Sequence, residues 1–336
     1  MYGRVWPPIV VPFVAMLLLP AVAIGQTRPA QSRTAKFEQS RTPWGDPDIQ
    51  GTWNNVTATP LQRSDQLKDK ALLTDEEAAS FERERLERQA EGEAKPIREQ
   101  TPGQRTGYAA SIWFETSSKL SENRTSLLVQ PADGRLPPLT PEAQKIADRQ
   151  AQSRKTSPAD KPEDRGPYER CITRGLPGAM MPGFYNHNYQ ILQIPGYVVM
   201  MVEMIHDVRI IPMDGRSHVG SAIKQWLGDS RGHWEGTTLV IETTNFRDIE
   251  QRNGGAFGPS ESGKVVERFT RMSADAMDYQ VTVDDRVWYT QSWTASIPMR
   301  KVEGPIYEYA CHEGNYGLPN ILAGHRQEER EAAQKR

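Results

Sequence analysis

The sequence predicts a mainly β protein in which an antiparallel meander forms a barrel or a sandwich, together with two short N-terminal helices. From residue 185 onward, short runs of β-branched and aromatic residues alternate with Gly, Asp and Pro turns, as antiparallel strands do. Asp214-Gly215 and Glu235-Gly236 are hairpin signals, because glycine accepts the positive φ of tight turns. The sequence shows no repeat of fixed period, which argues against a propeller.

The N-terminal part contributes two helices and two short strands. Gly51-Thr52-Trp53 is an entry strand, and residues 126–129 form another. Thr74-Asp75-Glu76-Glu77 is a capping box that predicts a helix to about residue 93. Thr140-Pro141-Glu142 predicts a second helix to about residue 152, because proline in the first turn removes no donor that the helix needs.

The remaining strands are predicted by hydrophobic runs between turns. They lie near 189–194, 197–213, 238–246, 265–272, 278–284, 289–297 and 306–311. The second of these runs has two interpretations. It is either one long bent strand, or two paired strands joined by a tight turn at His206-Asp207. In both cases Glu203, His206, Asp207 and Arg209 lie close together.

The first residues predict export. A basic Arg4 precedes an apolar run that ends in Ala21-Val22-Ala23, the small residues of a signal-peptidase site, so the mature chain is expected to begin near Ile24 or Gln26. A retained membrane anchor is the alternative, which Pro12 and Pro20 within the run disfavour. We therefore expect a periplasmic or secreted protein without a stable membrane anchor after cleavage.

Composition divides the chain into six parts. They are a signal peptide (1–25), a disordered leader (26–42), an N-terminal strand and helix segment packing on the β domain (43–152), a linker or surface loop (153–168), the antiparallel β domain (169–325) and a charged tail (326–336).

The net charge limits the class of partner, and the cysteine content indicates how the two thiols are used. The formal net charge is −2, which makes nucleic acid a poor partner and favours a small-molecule ligand or substrate. Cys171 and Cys311 are the only cysteines and have no zinc-finger spacing. In an oxidising compartment they are expected to form a disulfide; two independent buried thiols are the alternative.

The first predicted site lies in the run from 197 to 211, because it interrupts a strand-like sequence with ionisable residues. His206, Asp207 and Arg209, together with His312, are the candidate catalytic residues. A histidine, His206 or His312, would transfer the proton, and a neighbouring carboxylate would orient that histidine. Arg209 would hold an anionic oxygen of the substrate. The alternative is a structural ion pair beside a hydrogen-bonded histidine.

Further candidates lie in loops. The strand near 306–311 leads into His312, Glu313 and Asn315, and the expected disulfide would bring them to the segment around Tyr185 and His187. The candidate substrate-binding residues are Tyr185, His187, Glu203, Glu313 and Asn315. The run from 229 to 235 is a third candidate, and a hairpin loop with exposed charges is its simpler interpretation.

Five motifs are distributed along most of the mature chain, between residues 47 and 320. They are PDIQGTW from residue 47, DGRLPPLTPE from 133, EMIHDVRIIP from 203, WLGDSRGHWEG from 226 and YEYACHEGNYGLPN from 307. On these motifs the chain resembles an uncharacterised family of exported bacterial proteins, which implies export and no particular chemistry. The Gly51-Thr52-Trp53 entry before a meander also resembles a lipocalin-like barrel.

The absence of familiar signatures excludes several enzyme classes. The sequence has no Gly-x-Ser-x-Gly, His-Glu-x-x-His, phosphate-loop or dinucleotide fingerprint. Acid–base chemistry by a lyase, isomerase or hydrolase remains, and a non-catalytic small-ligand-binding protein is the alternative. The sequence does not identify a cofactor. A metal held by His187, His206, His312 and nearby carboxylates is compatible with the residue types, but their spacing does not require it.

Overall fold

A computed structural model describes residues 37–94, 117, 119–183, 185–247 and 259–335, and the predicted signal peptide lies outside them. It confirms a mainly β, antiparallel architecture. Within these residues the chain forms ten strands: β1 (Gly51–Asn54), β2 (Leu128–Gln130), β3 (Asn188–Ile194), β4 (Tyr197–Val202), β5 (Val208–Pro212), β6 (Asp229–Glu235), β7 (Thr238–Thr244), β8 (Lys264–Arg271), β9 (Ala276–Asp284) and β10 (Trp293–Val302).

Nine of these strands form a nearly closed barrel in the order β5-β4-β3-β1-β10-β9-β8-β7-β6, and β2 pairs with β10 beside this path. Every ladder along the path is antiparallel. Since nine is an odd number, the two strands that meet at the seam, β5 and β6, must run parallel. Because β1 lies between β3 and β10, the N-terminal segment is part of the barrel.

The seam between β5 and β6 depends on a glycine. A Cβ added at Gly232 of β6 would lie 3.0 Å from Ile211 Cγ2 of β5, a distance that real Cβ contacts rarely reach. Arg209 of β5 also donates to Ser230 Oγ of β6 at 3.2 Å. From the pair 209/230 to the pair 211/232 the residue number rises along both strands, as it must if β5 and β6 run parallel. Residues 213–228 therefore cross from one end of the barrel to the other.

The barrel interior is filled by side chains. Alternate residues of the longer strands are buried, as Val265, Glu267 and Phe269 are on β8. Large apolar and aromatic residues dominate this core: Trp53, Trp293, Tyr189, Tyr279, Phe269, Ile191 and Met200 are all fully buried.

Both predicted N-terminal helices are present. Helix α1 (Asp75–Ala94) begins with the expected capping box, in which Glu77 N donates to Thr74 Oγ1 and Thr74 N donates to Glu77 Oε2. Helix α2 (Pro141–Thr156) is capped by Thr140, whose hydroxyl accepts from Ala143 N. It continues four residues beyond the predicted end, into the segment assigned as linker.

Several predicted boundaries were wrong. Residues 37–42, assigned to the leader, form hydrogen bonds, including Asp48 N to Ser40 O at 2.8 Å. The run 229–235 is strand β6 and not a hairpin loop. Strand β10 begins at Trp293 and not near the predicted residue 289. The Asp285 carboxylate accepts from the amides of Val287 and Trp288 and so holds the preceding residues in a turn.

The C-terminal region differs most from the sequence prediction. Residues 306–311 do not form a strand, because β1 already occupies the sheet edge beside the end of β10 and the chain crosses instead to Cys171. Residues 326–334 of the predicted tail belong to helix α3 (Gly317–Gln334), which begins within the part assigned to the β domain and buries Leu322. Pro319 is compatible with this helix because the first-turn amides need no partner within the helix.

The run 197–211 takes the hairpin interpretation. Strands β4 and β5 pair in antiparallel register, with Met201 opposite Val208. The turn between them places Ile205 and His206 at φ of 62° and 49°. These values are uncommon for residues other than glycine, so the surrounding structure must hold the turn in place.

Candidate functional site

A covalent bond joins two loops at the end of the barrel where β4 passes into β5. Cys171 and Cys311 form a disulfide with a Cα–Cα distance of 5.7 Å, which confirms the predicted pairing. The bond holds the loop that follows β10 against the segment before β3. Asn315 Nδ2 donates to Glu169 O at 2.9 Å and adds a second connection between these segments.

Three tyrosines meet where the joined loops approach the β4–β5 turn. The hydroxyls of Tyr185 and Tyr309 are 3.3 Å apart, and their rings stack with centroids 6.3 Å apart. The Tyr168 hydroxyl lies 3.7 Å from Met204 Sδ in that turn. We call Tyr168, Tyr185, Tyr309 and the neighbouring Arg174 and His187 the tyrosine site.

The phenols of Tyr168 and Tyr309 stay protonated at neutral pH. Burial, followed by the neighbouring Tyr185, raises the pKa of Tyr168 to about 12. Burial and the hydrogen bond with Tyr185 also raise the pKa of Tyr309 above its usual value. These hydroxyls are therefore hydrogen-bond donors and not bases under ordinary conditions.

Arg174 brings a positive charge to the tyrosine site. Its side chain is partly buried, and its guanidinium carbon lies 5.5 Å from the centre of the Tyr168 ring. Within the described residues no carboxylate forms an ion pair with Arg174, whereas Arg165 and Arg170 of the same segment pair with Glu169 and Glu163. Arg174 is thus a partly desolvated cation that lacks an anionic partner among these residues.

His187 is buried beside this cation. Burial, followed by the positive charge of Arg174, lowers the pKa of His187 to about 3, so its imidazole is neutral at physiological pH. Its Nδ1 lies 3.5 Å from the Tyr189 hydroxyl. Gly183 leaves the space for the ring, because a Cβ at that position would clash with His187 Nε2.

Glu203 has a positioning role that the sequence did not reveal. The side chain is 3 % exposed, and its two oxygens accept from Asn186 Nδ2 and Asn188 Nδ2. Asn186 has a positive φ of 54°. The carboxylate thus fixes the entrance to β3, and with it Tyr185 and His187, next to the β4–β5 turn.

His206 and Asp207 both lie in the β4–β5 turn but face different partners. His206 is exposed, and its Nδ1 lies 3.0 Å from the carbonyl oxygen of Tyr309. The Asp207 carboxylate accepts from Thr173 Oγ1 at 2.8 Å, and burial raises the pKa of Asp207 above its usual value. The structure therefore connects His206 to the tyrosine site through the backbone of Tyr309.

Arg209 points into the barrel core and not toward the tyrosine site. Its side chain is 3 % exposed and forms a bidentate pair with Glu267 of β8, which is 0 % exposed. Tyr279 also donates to Glu267 Oε1 at 3.0 Å. Because both guanidinium Nη atoms are engaged, Arg209 fits the structural ion pair that the sequence left open as an alternative.

The C-terminal candidates lie beside the disulfide. His312 and Glu313 are exposed, and the His312 carbonyl accepts from the Asn315 amide. The described contacts do not connect the His312 side chain to His206, Asp207 or Arg209. Of the predicted site residues, Tyr185 and His187 belong to the tyrosine site, and His206 contacts it through the carbonyl oxygen of Tyr309.

Sequence reasoning missed Tyr168, Arg174 and Tyr309. The sequence places Tyr168 in a linker or surface loop, whereas its side chain is partly buried in the structure. Tyr309 belongs to the motif that begins at residue 307, and the sequence predicts it on a strand. The expected Cys171–Cys311 disulfide could have identified these residues from the sequence, because it predicts that the loops carrying them lie next to each other.

Comparison of the chain with models of protein families and with curated proteins found no match. The resemblance based on the five motifs therefore stays a prediction. None of the helices in the described part of the chain has the length and apolar character needed to cross a membrane. Within the described ranges, the one group of three potential metal ligands is Asp160, His325 and Glu329, outside the tyrosine site.

Proposed function

We propose that this chain is an exported protein that binds a small organic anion, such as a carboxylic acid, at the tyrosine site. The observation that carries the proposal is Arg174, a partly buried cation that has no carboxylate partner within the described residues and lies beside protonated phenols. A bound carboxylate would supply the missing negative charge. The anion-holding role expected of Arg209 is thereby assigned to Arg174.

The chemistry of the site matches such a ligand. A guanidinium presents a planar fork of donors to a carboxylate, and the phenols of Tyr168, Tyr185 and Tyr309 can donate further hydrogen bonds. The tyrosine rings offer apolar surface to the carbon skeleton of the ligand. His187, being neutral, adds no second positive charge, so the site favours a ligand with one anionic group.

Arg174→Met is expected to weaken binding by about 10- to 100-fold, because it removes hydrogen bonds to a charged group worth roughly 1.5–3 kcal/mol. A thermal-shift screen of aliphatic and aromatic carboxylates identifies a compound, and calorimetry then measures its dissociation constant. Arg216→Met is the matched control, since Arg216 is exposed and pairs with Asp214 elsewhere. Equal affinity of the wild type and Arg174→Met for every hit would contradict the proposal.

A second candidate function, acid–base catalysis on the bound molecule, is supported by His206. A carbonyl oxygen only accepts hydrogen bonds, so the contact with Tyr309 O places the proton of a neutral His206 ring on Nδ1 and leaves Nε2 as the basic nitrogen. A histidine oriented in this way can act as a general base. The reaction would be a proton abstraction or a hydrolysis, as in a lyase, isomerase or hydrolase.

His206→Gln is expected to lower turnover of a bound carboxylate by about 100-fold or more while the dissociation constant changes little, because glutamine cannot transfer the proton. Nuclear magnetic resonance of each screening hit incubated with the protein measures conversion. His233→Gln is the control, since His233 is an exposed strand residue paired with Glu235. If the wild type converts none of the compounds it binds, the binding function alone remains.

Export belongs to the same proposal. The disulfide is consistent with an oxidising compartment, because reducing cytosol disfavours such bonds. The apolar run before Ala21-Val22-Ala23 would direct the chain there, with the mature protein beginning between Ile24 and Thr27. We propose the periplasm or the external medium as its location.

A further inference from the structure

We propose that Asp160, His325 and Glu329 form a binding site for a divalent transition-metal ion, with Zn²⁺ as the best fit. We call these three residues the clasp site. It lies outside the tyrosine site and joins helix α3 to the loop that follows α2. The inference does not depend on the proposed function.

The clasp site brings three ligand atoms to one point. His325 and Glu329 lie four residues apart on α3 and so share one face of the helix. His325 Nε2 is 2.9 Å from Asp160 Oδ1 and 3.8 Å from Glu329 Oε1, and the three atoms all lie within 4.8 Å of one another. Tetrahedral zinc with bonds of about 2.0–2.2 Å places its ligands roughly 3.3–3.6 Å apart, so small side-chain adjustments suffice.

The chemistry of these atoms selects the ion. One imidazole nitrogen and two carboxylate oxygens are ligands that Zn²⁺ accepts, whereas Mg²⁺ and Ca²⁺ prefer oxygen alone. Two carboxylates balance the charge of a divalent ion. With three protein ligands, a fourth position stays open to water.

The surroundings of His325 provide a second, separate observation. Its side chain is only 15 % exposed, and its Nδ1 is buried without a hydrogen-bond partner among the described residues. Glu328 Oε2 lies 3.7 Å from this nitrogen. Histidines that bind metals commonly donate their second nitrogen to a carboxylate, and a small shift of Glu328 would complete that arrangement.

Metal binding at the clasp site would stabilise the C-terminal region. Helix α3 follows the loop that carries Cys311, and the Asp160 loop precedes the segment that carries Tyr168 and Cys171. An ion shared by the helix and the loop would hold these two segments together at a second point besides the disulfide. It would bind the folded state and not the unfolded chain, so it would raise the melting temperature.

Zn²⁺ titration of tag-free full-length protein, first treated with chelator, tests this site. We expect one zinc per chain by calorimetry and a zinc-dependent rise in melting temperature that Mg²⁺ does not reproduce. His325→Gln and Glu329→Gln should each weaken zinc binding by at least about 10-fold. Glu331→Gln is the control, because it makes the same charge change on α3 outside the clasp site.

The opposite results would overturn the inference. Absence of a zinc-dependent shift in the wild type would leave the clasp site as an ion pair between His325 and its carboxylates. Zinc binding that survives both substitutions would place the metal elsewhere. Because Glu329 is 57 % exposed, Glu329→Gln is expected to fold normally and keeps the test valid even if His325→Gln does not fold.

Discussion

Replacement of Glu267 by Gln is expected to lower the free energy of unfolding by about 3–5 kcal/mol, the usual cost of removing one partner of a buried ion pair. Arg209 would keep its charge inside the barrel, where it is 3 % exposed, and would lose the negative charge and one of the two acceptor oxygens of its bidentate partner. Tyr279 would also face an altered partner. The substitution removes the Glu267 carboxylate, which raises the pKa of Arg209 against the opposing effect of burial. The guanidinium nevertheless does not escape the cost by deprotonation, because arginine keeps its proton in proteins.

Urea denaturation of the wild type and the variant measures this change. Glu242→Gln is the matched control, because Glu242 lies on the adjacent strand β7 and its pair with Lys264 is about 42 % exposed, so less than about 1 kcal/mol is expected. The double variant Arg209→Met/Glu267→Leu should be more stable than Glu267→Gln, since it leaves no unpaired charge. If Glu267→Gln lowered the free energy of unfolding by no more than Glu242→Gln does, the result would contradict a buried ion pair between Arg209 and Glu267.

Replacement of both Cys171 and Cys311 by Ser is expected to cost about 2–5 kcal/mol. The bond closes a loop with a sequence separation of 140, and in the chain-entropy account the unfolded chain gains more freedom the longer that loop is. The same substitution releases the loop that carries Tyr309. We therefore also expect weaker binding of any anion that the tyrosine site takes.

Thermal and urea unfolding measure the stability change, and calorimetry with a hit from the carboxylate screen measures the affinity. Dithiothreitol-treated wild type should match the double serine variant in both. Cys171→Ser alone should match the double variant as well, because one cysteine cannot form the bond. Wild-type stability of the double variant would show that the two loops are held by their other contacts, such as Asn315 with Glu169.

Local signals in the sequence determined most of the elements. Three of these signals are the capping box at Thr74, the proline that follows Thr140 and the Glu235-Gly236 turn. Each depends on a few consecutive residues, so the local sequence was sufficient to predict it. Period-2 alternation predicted most strands of the meander. The pairing of the only two cysteines followed from their number and the expected compartment.

Other elements depended on neighbours that the sequence does not show. Residues 306–311 have the composition of a strand but find no free sheet edge, since β1 pairs with the end of β10. Helix α3 contains Gly324 in its interior, which disfavours a helix by local propensity, and burial of Leu322 contributes to its stability.

The sequence by itself determined a mainly β, disulfide-bonded chain with two capped helices, because caps, turns and alternation are properties of short stretches. Only the tertiary structure decided which ionisable groups meet. Arg209 pairs with Glu267, 58 residues away, and so leaves the anion-holding role to Arg174. Tyr185 meets Tyr309 across 124 residues. Such partners depend on strand order and on the closing of a parallel seam between β5 and β6, and these are set by packing of the whole barrel and not by any local run of residues.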